Sequence, residues 1–156
     1  MKKNILIAFD DSENAFRAVE FVEKFFTPDC NVTLFSVFPD TDALFLMKSP
    51  ELSPYFVSQK SSFLSFEDKK KELIRNALKK ARDKLLEAGF ESNNINIKAE
   101  CRRDGIARDI VNESHNDYDI IVLGRRGLSA IKEFFIGSVS HKVFNGVKDN
   151  SILVVN

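Results

Sequence analysis

Short runs of consecutive apolar residues alternate along this chain with longer segments in which apolar residues recur every three or four positions. The runs are rich in β-branched and aromatic residues, a pattern typical of strands buried on both faces of a parallel sheet. One run alternates apolar with polar residues instead, which predicts a strand at a sheet edge. The five predicted strands are 5–9, 32–37, 95–101 (the alternating run), 120–123 and 152–155.

The periodic segments predict four amphipathic helices. Ser12 is placed to cap the first, and Gly89 lies where a C-terminal capping glycine belongs after the second. We expect Val139, Val143 and Phe144 to face the core from the last helix. The predicted helices are 12–26, 67–88, a short one that opens at Asp104-Gly105, and 138–145.

Residues 38–66 are the hardest part to interpret, because Pro39, Pro50 and Pro54 interrupt any regular pattern. Aromatic residues recur through this segment, and a disordered linker would carry fewer of them. We therefore expect a long, partly packed surface segment with at most a short helical piece. Such a segment either covers a site or a partner surface, or serves no function of its own.

The alternation of strands and helices predicts an α/β fold. Its form is a single doubly wound, Rossmann-like, five-stranded parallel sheet with helices on both faces. In open sheets of this type, ligands bind beyond the carboxyl ends of the strands, near the point where the strand order reverses. That rule indicates Asp10, Val37 and the segment after Leu123 as the region of a binding site.

Composition narrows the choice of function. The chain has 156 residues, 44% of them hydrophobic, which is enough for one domain over 1–156. Its 23 basic and 23 acidic side chains balance, and the pI is near 6.7. A nucleic-acid partner is therefore disfavoured, because such proteins usually carry a basic excess. The first apolar run meets Asp10 after five residues, too short for a signal peptide or a membrane span, so we expect a cytoplasmic protein without a membrane partner.

The two cysteines, Cys30 and Cys101, lie in unrelated segments and form no CxxC pair. They also form no metal-ligand pattern with the two histidines, His115 and His141. We expect two reduced, mostly buried thiols in a reducing compartment, and no bound metal at these residues.

The segment with the clearest chemistry follows the fourth predicted strand and reads G-x2-G-x9-G-S, with Gly124, Gly127, Gly137 and Ser138 at the fixed positions. Glycines after a central strand allow backbone amides to approach a ligand closely. Free N–H groups and the dipole at a helix start favour an anion. Ser138 and Ser140 add hydroxyl donors. The pattern therefore predicts a phosphate-binding loop.

Either Arg125 or Arg126 is expected to lie across the phosphates. From spacing alone, the glycines serve turns and helix caps equally well, since short glycine patterns arise by chance. The G-x-x-x-x-G-K-[ST] sequence of P-loop enzymes is absent, and with it the lysine and the magnesium-binding hydroxyl of that loop.

The chain resembles the universal stress protein family, and in particular its ATP-binding branch. The resemblance rests on the G-x2-G-x9-G-S spacing, the strand end 8–13, the run 119–124 and the tail 151–155, and it extends over 3–156. It implies a sheet of the adenine-nucleotide alpha hydrolase type and ATP, with Mg²⁺, as the ligand. It also implies a homodimer formed through the strand at 151–155.

Carried over to this chain, the family pattern assigns Asp10 to the adenosine part, Val37 to the adenine pocket, and Gly124 and Gly127 to the ribose and phosphates. Arg125 stands where the family usually has a small residue, and Asp11 replaces a common glycine. Asp10 has the alternative role of a helix cap, and Ser140 that of an ordinary first-turn residue. The binding residues that the resemblance implies are Ala8, Phe9, Asp10, Val37, Leu123, Gly124, Arg126, Gly127, Gly137, Ser138, Val139 and Ser140.

The function expected from this sequence is that of a nucleotide-responsive stress or regulatory protein rather than an enzyme. At most it would hydrolyse ATP slowly, with Asp10 or Asp11 as the evident acidic candidates. Two alternatives stay open. One is a homodimeric interaction scaffold that does not depend on nucleotide, since an exposed edge strand invites another chain. The other is a flavin or nucleotide enzyme on a similar sheet, because a fold does not fix a function.

Overall fold

A computed structural model describes residues 2–38, 53–125 and 136–156, and in 53–63 it describes the backbone alone. Five parallel strands form one sheet in these ranges, in the order β3-β2-β1-β4-β5. The doubly wound α/β fold is thereby confirmed, and the alternating strand β3 lies at an edge as predicted. The strands are β1 (Asn4–Ala8), β2 (Asn31–Phe38), β3 (Ile95–Cys101), β4 (Ile120–Gly124) and β5 (Ser151–Val155).

Four α-helices within the described ranges cover both faces of the sheet. Helices α1 and α2 pack on one face, and α3 and α4 pack on the other. The hydroxyl of Ser12 caps α1 as predicted, accepting a hydrogen bond from the backbone N–H of Ala15 at 3.2 Å. The helices are α1 (Glu13–Phe25), α2 (Ser53–Glu87), α3 (Ile106–Ser114) and α4 (Ser138–Gly146).

Helix α2 corrects the prediction for 38–66. It begins at Ser53 rather than near Glu67, so 53–66 is helical and not an irregular surface segment. Pro54 misled the sequence argument, because proline is tolerated in the first turn of a helix, where its missing N–H has no intrahelical acceptor. The prediction for residues 39–52, with Pro39 and Pro50, falls outside the described residues.

Two predicted burials are wrong. Phe144 is exposed, because it follows the buried Val143 by one position and so lies about 100° further around α4, away from the sheet. Cys101 is exposed too, since it is an outward-facing position at the end of edge strand β3. Cys30 is buried, as expected.

The strand order fixes where a ligand site can form. The chain runs from the central β1 to β2 and β3 on one side, then crosses to β4 and β5 on the other. The switch point therefore lies between β1 and β4, where Ala8 is in register with Leu123. On its other side, Ala8 is in register with Phe35 of β2. The carboxyl ends of three strands thus meet at one edge of the sheet.

Candidate functional site

A cavity of about 470 Å³ opens at this carboxyl edge of the sheet. Its floor is apolar and comes from the last residues of three strands, with Ala8 from β1, Phe35 and Val37 from β2, and Leu123 from β4. This volume is within the range of small-molecule sites, which are concave, mostly apolar and supplied with a few polar groups.

The turn after β1 supplies the acidic side of the cavity, with Asp10 and Asp11. One carboxylate oxygen of Asp10 accepts a hydrogen bond from the backbone N–H of Ser12 at 3.0 Å. Ser12, not Asp10, caps α1, so the carboxylate of Asp10 fixes the turn and lines the cavity. Asp11 is paired with Lys70 across the mouth of the cavity, at 2.7 Å.

Helix α2 forms a roof that the sequence analysis missed. It places Phe66, Lys70 and Ile74 against the cavity, four residues apart and therefore on one stripe of the helix. The sequence did contain a signal for this roof. The helical stripe from Ile74 to Leu85 continues backwards in steps of four through Lys70 to Phe66. Assigning 53–66 to an irregular segment concealed that continuity.

Helix α4 closes the remaining side with its first turn. Gly137 is its N-cap residue and provides no side-chain acceptor to the first amides. Ser138, Val139 and Ser140 line the cavity. The hydroxyl of Ser140 is buried and donates to the carbonyl oxygen of Gly124 at 2.8 Å, so its proton is already engaged within the protein.

Helix packing explains why residue 124 is a glycine. A Cβ atom at this position would lie 2.7 Å from the backbone oxygen of Asn14, closer than such atoms approach each other. The absence of a side chain thus lets α1 pack directly on the end of β4. Beside it, the N–H of Gly137 donates to the carbonyl oxygen of Arg125 at 2.7 Å, which brings the two ends of the glycine-rich segment together.

Most of the predicted binding residues come together at this cavity. Gly137 lies directly before the lining residues, as the cap of α4. Arg126 and Gly127 lie outside the described residues. The predicted residues that line the cavity are Ala8, Phe9, Asp10, Val37, Leu123, Gly124, Ser138, Val139 and Ser140.

A separate polar cluster lies between β3 and α3. The buried carboxylate of Glu113 accepts hydrogen bonds from Lys98 at 2.6 Å and from the hydroxyl of Tyr118 at 2.8 Å. Hydrogen bonding to Glu113 raises the pKa of Lys98, and burial raises the pKa of Tyr118. The cluster therefore stabilises the fold with both proton donors in their protonated forms.

Across 2–38, 53–125 and 136–156, no helix combines the length and the hydrophobicity that crossing a membrane requires. In the same part of the chain, no three His, Cys, Asp or Glu side chains are grouped as metal ligands would be.

The family model described as the universal stress protein family matches residues 1–155 of the chain. The chain belongs to this family. Universal stress protein YxiE from Bacillus subtilis is 37% identical over 79 residues, which cover 45% of this chain. The match spans about half the length of that relative (50%).

Solved structures agree with this assignment at the level of the fold. Hypothetical protein MJ0577 superposes with a TM-score of 0.73 at 24% identity, covering 99% of this chain and 96% of the other. Universal stress protein UspA from Lactobacillus plantarum gives a TM-score of 0.69 at 20% identity, with 99% and 97% covered. A universal stress protein in complex with cAMP gives 0.58 at 18% identity, again with 99% and 97% covered.

Proposed function

We propose that this universal stress protein binds ATP, with Mg²⁺, in the cavity at the carboxyl ends of β1, β2 and β4. In this proposal the bound nucleotide regulates which partners the protein engages under stress. The observation that carries the proposal is one cavity with two chemically different ends. Its apolar floor suits a flat base, and the first turn of α4 at its rim suits phosphate.

The residues present fit each part of the nucleotide. Ala8, Val37 and Leu123 form an apolar surface for adenine, and Asp10 is placed at the rim for a ribose hydroxyl. The backbone amides of α4 and the hydroxyl of Ser138 suit phosphate oxygens. The complex of a family member with cAMP supports the proposal, since this fold then accommodates an adenine nucleotide. Arg126 and Gly127 remain proposed phosphate contacts.

Mg²⁺ would be held mainly by the phosphates, because this ion keeps several waters and needs only one or two protein carboxylates. Bound Mg²⁺ would supply charge neutralisation to the phosphates. Ser140 acts in this scheme by fixing the carbonyl of Gly124, as its hydroxyl proton is already donated there.

The proposed role is binding rather than turnover, within a single cytoplasmic domain over 1–156. Any hydrolysis would be slow and would depend on the acidic turn at Asp10. Phosphate release that disappears in Asp10→Asn would assign hydrolysis to this site. Asparagine keeps the oxygen that accepts from Ser12 and removes only the charge.

Calorimetric titration with ATP and Mg²⁺, after removal of any nucleotide that co-purifies, tests the binding proposal. Ile106→Trp places a large ring at the cavity rim, and Ile97→Trp is its matched control on β3, since these isoleucines are 41% and 40% exposed. We expect saturable micromolar binding that weakens by at least ~10-fold in Ile106→Trp, about 1.4 kcal/mol, and not in the control. No binding by the wild type, with no co-purified nucleotide, would overturn the proposal.

A separate observation supports a second candidate function. Strand β5 lies at the edge of the sheet, and Ile152, Leu153 and Val154 are only partly buried there. Such an edge can pair with the same strand of a second copy, so we propose a homodimer through 151–155. Sedimentation with and without ATP separates the two roles. A dimer whose stability and partners do not change with ATP favours the interaction scaffold as the function. A dimer whose stability or partners change with ATP favours a nucleotide-regulated protein.

A further inference from the structure

A second concave surface of about 720 Å³ adjoins the cavity, between the first turns of α3 and α4. We call it the basic groove. It shares Arg102, Ile106, Ser138 and Val139 with the cavity, so these residues form the border between the two spaces. All four are exposed or partly exposed, so a ligand seated in the cavity would enter the groove by passing over them.

The charge of the groove differs from that of the cavity. Arg102, Arg103, Arg108 and Lys142 line it, against one carboxylate from Asp104. Arg103 is 3.1 Å from Glu100, which offsets part of its charge. The groove remains a strongly cationic surface on a chain whose overall charge is balanced. Guanidinium groups match the geometry of phosphate oxygens and bind them through paired hydrogen bonds.

Two helix N-termini open onto the same groove. Gly105 caps α3 and Gly137 caps α4, and neither glycine has a side chain to accept the first amides. Asp109, the acidic residue in the first turn of α3, is buried, and its two oxygens accept from the backbone N–H groups of Arg103 and Asp104. The dipole of α4 thus adds to the field of the side-chain cations at this surface, whereas the carboxylate of Asp109 offsets part of the positive end of α3.

We propose that the basic groove binds the terminal phosphates of a polyphosphate nucleotide whose base occupies the cavity. This inference rests on the proposed nucleotide function and adds its selectivity. A nucleoside triphosphate reaches from the apolar floor to Arg108 and Lys142. A monophosphate or cyclic monophosphate ends near α4 and leaves these cations unused. The site therefore discriminates by phosphate number, through α3 as well as through the first turn of α4.

The test compares ATP with AMP by calorimetry in the full chain. The variant is Arg108→Gln with Lys142→Gln, and its matched control is Lys79→Gln with Lys80→Gln on the exposed side of α2. We expect the groove variant to lose ~10-fold or more in affinity for ATP and less than ~2-fold for AMP, since each lost charge-assisted hydrogen bond costs about tenfold. The control should change neither. An unchanged ratio of ATP to AMP affinity in the groove variant would overturn the inference.

Failure of the proposed function has a different signature. If the wild type binds neither ATP nor AMP, the cavity proposal fails, and inorganic tripolyphosphate then probes the groove alone. Tripolyphosphate binding that weakens with salt and is lost in the groove variant supports the phosphate site without the nucleotide. Absence of tripolyphosphate binding by a wild type that also binds no nucleotide overturns the groove as well.

Discussion

The ammonium group of Lys70 lies 2.7 Å and 2.9 Å from the two carboxylate oxygens of Asp11. This pair joins α2 to the turn after β1 across the mouth of the cavity. Its side chains are 24% and 19% exposed, whereas those of Lys84 and Glu20, which join α2 to α1, are 40% and 52% exposed. Water screens the Lys70 pair less, so it should contribute more to holding the roof in place.

Lys70→Met should lower the free energy of unfolding by about 1 kcal/mol and speed the release of nucleotide, because the roof loses its tie to Asp11. Lys84→Met should cost less than ~0.5 kcal/mol and leave release unchanged, as expected for a more exposed pair. Urea unfolding and stopped-flow displacement of a fluorescent ATP analogue measure the two effects. Equal losses of stability in both variants would contradict the special role of Lys70.

Alkaline pH should destabilise the protein partly through Tyr118. Burial raises the pKa of its hydroxyl above the ordinary value of 10.0, so the folded state holds a proton that the unfolded state releases. The contribution is complete below about pH 10 and falls as the pH rises through the folded pKa, by at most ~1.4 kcal/mol per pH unit. Hydrogen bonding to Glu113 raises the pKa of Lys98 in the same direction, so both groups act in one window.

Urea titrations between pH 8 and pH 11.5 check this dependence. Tyr118→Phe should give a lower stability at pH 8, because Glu113 loses a hydrogen-bond donor, and a shallower decline above pH 10. Parallel declines for the wild type and the variant would show that Tyr118 does not contribute to the alkaline transition.

Substitution of Ser138 should affect mainly ligand binding, and substitution of Ser140 should affect mainly stability. Ser138 is exposed at the first turn of α4, so Ser138→Ala should weaken ATP binding by about tenfold and change stability by less than ~0.5 kcal/mol. Ser140→Ala should do the reverse and cost ~1–2 kcal/mol of stability, because the carbonyl of Gly124 loses its donor. Calorimetry and thermal unfolding of both variants provide the comparison. A stability loss confined to Ser138→Ala would reverse the assignment.

Phe66 should stack on the nucleotide base. Its ring is 69% exposed at the edge of an apolar cavity, and Phe25 on α1 is a matched control at 62% exposure away from it. Stacking of a base on an aromatic ring contributes ~1–3 kcal/mol, so Phe66→Ala should weaken binding of ATP and AMP alike by at least ~5-fold. Phe25→Ala should leave both affinities unchanged. Equal affinities for wild type and Phe66→Ala would exclude a stacking role.

The sequence predicted the sheet well because each strand carries its own signal. The run from Ile5 to Phe9 is apolar throughout, and the alternation in β3 correctly indicated an edge strand, although its apolar residues after Ile95 are on the exposed side. The floor of the site followed from the same runs, since parallel strands end at one edge. These patterns involve residues that are close together along the chain, so they can be recognised in a single sequence.

The roof and the groove depend instead on contacts between distant residues. Phe66 is helical because α2 begins 14 residues before its predicted start, at Ser53, and both Phe66 and Lys70 reach the cavity because α2 packs over the turn after β1. Arg108 and Lys142 share a surface because α3 and α4 pack side by side, and neither residue belongs to a motif. The spacing of residues along the chain does not indicate which distant residues lie close together, so these contacts can be identified only in the folded structure.

The close packing at Gly124, the first glycine of the motif, limits how this position can change during evolution. Since any larger residue there would collide with the backbone of Asn14, selection for a folded protein alone would keep this glycine. A descendant that abandoned its ligand would retain it, and a signature search would still score it as a nucleotide binder. Ser138 is exposed and carries no such structural obligation. Its loss in a lineage would therefore be the earlier and more informative sign that the ancestral ligand had been given up.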